Sequence, residues 1–135
     1  MKKIYFLNLL FSFIAVKAVS QKAELHIVNN SGRMLTVKVM HHNPGSGDSR
    51  FSLFTVNPHS ASVEYFAKTG RYYLKTKAEL KDKETIYKKG NPFEVYVGRD
   101  GYSVLTITYT ITEKAVKNPM EGKEISRGEF EMDIN

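Results

Sequence analysis

Apolar and polar residues alternate one for one through most of this chain. Leu25 and Ile27 alternate with Glu24 and His26, Leu35, Val37 and Val39 with Thr36 and Lys38, and Phe93, Val95 and Val97 with Glu94 and Tyr96. A period of two sends successive side chains to opposite faces, so each run reads as a strand with one face for a core. The runs are short and are separated by turn-forming segments: NNSG at Asn29 to Gly32, NPHS after Val56, KGNP before Phe93 and RDGY after Gly98. About eight such strands predict an all-β fold, an antiparallel β-sandwich with a small β-barrel as the alternative. A parallel sheet is disfavoured, because the chain has no room for crossover helices.

The pattern assigns individual elements. Ala23 to Val28 and Arg33 to Met40 form an expected opening hairpin around NNSG, and His41 to Ser49 is a loop broken by Pro44, Gly45 and Gly47. Strands follow at Arg50 to Val56, Ala61 to Phe66 and Arg71 to Lys77, and Ala78 to Lys83 reads as a lysine-rich loop. Ser103 to Glu113 is expected to be the longest strand, with Leu105, Ile107, Tyr109 and Ile111 inward and a threonine row from Thr106 to Thr112 outward. GEFEMDI is read as the closing strand, with Phe130, Met132 and Ile134 inward.

The first twenty residues stand apart. Lys2 and Lys3 precede a 13-residue apolar run from Ile4 to Val16, and Ala18, Val19 and Ser20 make a small-x-small cleavage pattern before Gln21. The run is shorter than the roughly 20 residues that a helix needs to cross a bilayer. Residues 1–20 therefore read as an export signal and 21–135 as one β domain, exported to the periplasm or beyond it. No cysteine follows the run, so a lipid anchor on cysteine is excluded, as are disulfides and thiolate metal sites. Lys2, Lys3 and Lys17 leave with the signal, so the net charge falls from +6 to +3 over the remaining 115 of 135 residues. Such a balance does not suit a nucleic-acid partner. No transmembrane segment is expected in the mature chain, and its oligomeric state is left open.

Charge is instead local. Lys68, Arg71, Lys75, Lys77, Lys81, Lys83, Lys88 and Lys89 face only Glu79, Asp82 and Glu84 along that stretch, interleaved with Tyr72, Tyr73 and Tyr87. A tyrosine ring beside cations suits an acidic or hydroxyl-rich ligand. Alternatively, the lysines guard edge strands. Arg71, Tyr72, Tyr73, Lys75, Lys77, Tyr87 and Tyr96 are the candidate binding residues, with Tyr65, Tyr73 and Tyr96 facing away from the apparent core. Glu121 to Asn135 carries five acidic residues against two basic ones, so the two segments are also candidates to pair and neutralise each other.

Catalytic and metal patterns are sparse. His41, His42 and Asp48 are weak metal candidates, and neighbouring histidines on a strand point to opposite faces. No GxSxG elbow, HExxH helix or glycine-rich phosphate loop occurs, so neither a cofactor nor an enzyme is the expectation.

The N-terminal signal, the opening NNSGRMLTVKV and the closely spaced strands resemble the small exported β-sandwich proteins of Gram-negative bacteria, especially Bacteroidetes. The resemblance runs along the whole chain in style and implies the fold and export. It carries no motif that assigns a role to any residue. The expected function is a non-enzymatic binding module for a cell-surface glycan or protein. The alternatives are an assembly subunit that pairs through an edge strand and a small hydrolase with at least two converging His, Asp or Glu side chains.

Overall fold

The computed structural model describes residues 21–111 and 122–133. Its strands are β1 (Ala23–Asn29), β2 (Met34–His41), β3 (Ser49–Val56), β4 (Ser60–Phe66), β5 (Gly70–Glu79), β6 (Ile86–Lys89), β7 (Phe93–Val95), β8 (Val97–Gly98), β9 (Gly101–Tyr102), β10 (Val104–Tyr109) and β11 (Lys123–Glu124). One short helix, α1 (Arg127–Glu131), follows. The strands form open sheets that pack as a sandwich: a three-stranded sheet ordered β10-β1-β4 and a larger one ordered β11-β6-β5-β2-β3, with β7 also on β5. β8 and β9 make a separate hairpin. The fold is all-β and mostly antiparallel, as the alternation predicts. Among the described residues no helix is long and apolar enough to cross a membrane. The expected export signal, Thr112, Glu113 and Ile134 lie outside the described residues.

The core sits between the two sheets. Ala23, Leu25 and Ile27 of β1 meet Leu35, Val37 and Val39 of β2, with Phe66, Tyr72, Leu74, Val95 and Tyr109 closing the cluster. These are the inward positions that the alternation marks, and their removal from water is the main stabilising term. Burial pushes the Tyr109 phenol up to about 12, although the Arg33 charge pulls slightly the other way.

The connections differ from expectation. β1 and β2 do not form a hairpin; they belong to different sheets. Asn29 is fully buried, and its amide nitrogen donates to the carbonyls of Arg33 (2.8 Å), Val56 (3.1 Å) and Asn57 (3.1 Å). Its Oδ1 accepts from Ser31 Oγ at 2.6 Å. The NNSG segment is thus a corner tied to the end of β3, not a tight turn. A second corner, between β3 and β4, returns the chain to the small sheet through His59, whose φ of 53° is left-handed and whose N–H donates to Ser31 O at 3.1 Å. With β1 crossing to the other sheet's chain, its free edge is filled by β10, in parallel register from Glu24↔Val104 to Asn29↔Tyr109. That pair corrects the expectation against parallel strands: no crossover helix is required when the intervening chain builds the opposite sheet. β5 is the longest strand rather than the one at Ser103, and it absorbs Ala78 and Glu79.

The closing segment is also not a strand. Ser126 caps α1, its Oγ accepting from Glu129 N at 3.1 Å, and Phe130 is buried while Met132 is exposed. This segment lies across the outer face of the large sheet, which is why β5 is buried at Tyr72, Tyr73, Leu74, Lys75 and Thr76 in succession. Strand alternation fails wherever a sheet is covered on both faces. β11 fixes the start of this strap by pairing Lys123 and Glu124 with Lys89 and Lys88. The pairing joins the acidic and basic segments, with Glu124 opposite Lys88 but Lys123 opposite Lys89. A Cβ on Gly122 would collide with the Lys89 carbonyl, so the strap approaches β6 backbone to backbone.

Replacing Phe130 with alanine removes the strap's apolar anchor. The expected loss is about 3 kcal/mol, at the low end for phenylalanine truncation, because the strap can lift without opening the core. Hydrogen exchange checks this: amides of Gly122 to Asp133 and β6 should exchange faster in both F130A and G122A, with β1 and β2 unchanged.

Candidate functional site

Strand register places Lys38, Lys75, Lys89 and Lys123 directly opposite one another across β2, β5, β6 and β11. Like charges in one cross-strand row repel. The strap answers at one end. Lys38 Nζ donates to Phe130 O (2.8 Å) and Asp133 Oδ1 (2.7 Å), and Lys75 Nζ donates to Glu129 O (2.8 Å) and Met132 O (2.9 Å). Carbonyls at a helix C-terminus have no helical partner and carry partial negative charge, so these ammonium groups complete α1 as α1 completes them. Lys38 also sits 4.9 Å from the centre of the Phe130 ring. Burial and the Lys38 charge push the Lys75 amine below its ordinary value; Glu129 raises it, Lys89 lowers it and Asp133 raises it.

The sequence-derived binding residues therefore separate. Tyr72 is a core residue, its ring 4.6 Å from Phe66 and 5.1 Å from His41. Tyr73 and Lys75 were expected to face solvent, but each is only 1% exposed, Lys75 beneath the strap and Tyr73 against His42 and Asp48 of the preceding loop. Lys77 and Tyr87 are half-buried against Phe130, with Lys77 paired to Glu79 at 3.7 Å. Arg71 is exposed across from Glu94. Tyr96 is exposed beside the β8–β9 hairpin. The seven do not form one surface, because a face read as solvent-facing is roofed by a segment fifty residues or so further on.

The weak metal candidates separate in an informative way. His41 lies against Tyr72 and His42 against Tyr73, on opposite faces of β2 and its extension. Only His42 meets Asp48, Nδ1 to Oδ1 at 3.2 Å. Gly45 and Gly47, with φ of 89° and 88°, turn the loop back so that Asp48 also accepts from Asn43 N (2.9 Å) and Tyr73 Oη (3.0 Å). Burial raises the Asp48 pKa, but the hydrogen bonds from Asn43, Tyr73 and His42 and the His42 charge outweigh it, and the net shift is downward. Among the described residues no three His, Asp or Glu side chains gather to hold a metal.

A wider groove lies elsewhere. Gln21, Lys22, Glu24, Tyr65, Arg99, Asp100 and Tyr102 line a cleft of about 520 Å3 at the start of β1, the end of β4 and the β8–β9 hairpin. Tyr65 is 51% and Tyr102 44% exposed. Tyr65 stands directly across β1 from Glu24, which His26 holds at 2.8 Å. Beside the cleft Tyr96 is anchored, its hydroxyl donating to Asp100 at 2.7 Å; a Cβ on Gly98 would collide with that phenol. This contact pulls the Asp100 carboxyl down and pushes the Tyr96 phenol up. Lys22 and Arg99 make no ion pair with a described residue. Tyr65 and Tyr96 were legible as outward tyrosines. Tyr102, Arg99 and Lys22 were not, since they come beside Tyr65 through the pairing of β1 with β10 and β4 and through the β8–β9 turn.

Asp48 carries a stability signature. Its lowered pKa contributes stability that is complete above the unfolded carboxyl value and is lost as pH falls through the folded one. Asp48→Asn is therefore expected to lower stability by about 1–3 kcal/mol at neutral pH and to flatten the acid limb of the stability curve. Denaturant melts across the acidic range read both effects.

The chain matches no protein-family model, no curated protein and no solved structure.

Proposed function

We propose that the protein is an exported, non-enzymatic binding module that holds a cell-surface glycan in the cleft between Tyr65 and Tyr102. One observation carries the reading: two exposed tyrosines flank a 520 Å3 cleft whose rim offers both donors, Lys22 and Arg99, and acceptors, Glu24 and Asp100. Phenol faces stack on the C–H faces of a sugar ring, and the charged rim answers its hydroxyls. The fixed strands β1 and β4 carry Glu24 and Tyr65, so little ordering is needed on binding. Export rests on the apolar run Ile4 to Val16 and the Ala18-Val19-Ser20 pattern. The basic stretch from Arg71 to Tyr87 contributes to the scaffold in this reading.

A glycan array probed with the purified protein tests the proposal. Tyr65→Ala and Tyr102→Ala are each expected to weaken a retained glycan by about 5- to 30-fold, equivalent to about 1–2 kcal/mol of lost stacking and contact. Lys77→Ala, under the strap, should bind as the parent does. Full binding by folded Y65A and Y102A, or no glycan retained at all, overturns it.

A further inference from the structure

The lysine row is compensated at only one end. Lys38 and Lys75 are met by the strap, whereas Lys89 and Lys123, opposite each other on β6 and β11, make no ion pair with a described residue. Both line a pocket of about 300 Å3 that is separate from the tyrosine cleft and also includes His42, Asp48 and Tyr73. The Lys89 ammonium rests 4.9 Å from the centre of the Tyr73 ring. Two cations held in register cost stability, and an anion seated between them would recover it.

The histidine in this pocket is oriented. Asp48 accepts from Asn43 N, Tyr73 Oη and His42 Nδ1, so its negative charge is engaged within the loop. A carboxylate at Nδ1 fixes the proton on that nitrogen and leaves Nε2 as the ring's second polar atom, with no hydrogen bond to a described residue. Protonation at Nε2 then adds a donor and a positive charge to a pocket that already holds two lysines. His42 and Asp48 do converge in a cavity, as a hydrolase would require. Yet the carboxylate is occupied by three donors, and the remaining charged groups in the lining are cations, which suits holding an anion better than cleaving a bond.

We propose that this pocket binds an oxyanion ester, a sulfate or phosphate group on a larger molecule, between Lys89 and Lys123 with protonated His42 as the third contact. The ionisable groups facing His42 are Asp48, Tyr73, Lys89 and Lys123, and of these side-chain types only an imidazole ordinarily changes charge between about pH 5 and 8. Affinity therefore rises as pH falls. The assignment is independent of the glycan reading, since no residue is shared with the tyrosine cleft.

Inorganic sulfate is the first probe, because it stays a dianion throughout. It is titrated into the purified protein at constant ionic strength and followed by amide NMR at about pH 5.5 and about pH 7.5, on either side of the ordinary imidazole value. Saturable shifts are expected at His42, Lys89, Asn91 and Lys123, with affinity at least about threefold tighter at the lower pH. Lys89→Met with Lys123→Met should weaken binding by about tenfold or more at both pH values, and His42→Phe should remove the pH difference. Lys123→Gln alone, at an exposed strand end, reports the same loss if the double variant does not fold. Glucose 6-sulfate and glycerol phosphate then distinguish a sugar sulfate from a lipid headgroup phosphate, the tighter one naming the source. Shifts scattered over other lysines, equal affinity at the two pH values, or weaker binding of both esters than of sulfate itself would overturn the proposal.

Discussion

A row of four lysines directly opposite one another across four strands is an arrangement that a sheet carries only with help. Lys75, almost wholly out of water, is the hardest of them to accommodate. The help comes from backbone rather than from carboxylates: its Nζ donates to the carbonyls of Glu129 and Met132. A five-residue helix has little stability of its own. Here its unsatisfied C-terminal carbonyls become the acceptors that buried ammonium groups need, and each makes the other affordable. The covering of Lys75 on the outer face of β5 and the anchoring of Phe130 both follow from that exchange.

Much of the fold could be read from the residues because period-two alternation is a local property. Leu25, Ile27, Leu35, Val37 and Val39 needed no knowledge of their partners to be placed inward, and they are inward. What failed was non-local. NNSG has good turn chemistry, but the Asn29 amide finds the carbonyls of Val56 and Asn57, distant in sequence, and becomes a corner instead. GEFEMDI alternates like a strand, yet Ser126 followed three residues later by Glu129 is a capping signal, and it is that signal which the backbone obeys. The expectation for Tyr73 and Lys75 erred for a related reason. Alternation tells which face a side chain is on, not whether a later segment covers that face.

The candidate sites show the same division. Tyr65 and Tyr96 could be seen as outward tyrosines, and His42 and Asp48 as neighbours in a loop. Their partners could not: Tyr102 joins Tyr65 only through the β1 register, and Lys123 joins Lys89 only through β11. Charge counting along the chain found the basic stretch but not its two different fates. Within it Lys75 is held by the strap, whereas Lys89 lines the pocket beside Tyr73.

The parallel pairing of β1 with β10 has a consequence for the order in which the chain can fold. β1 is the first strand to be made and the central strand of its sheet, yet its two partners arrive much later. β10 lies roughly eighty residues downstream, so closing that pair carries the loop entropy of most of the domain. The large sheet, built from antiparallel neighbours closer in sequence, can assemble while β1 still waits. Completion of the small sheet is thus a late step, and a nascent polypeptide would hold that edge of β1 open until β10 is made.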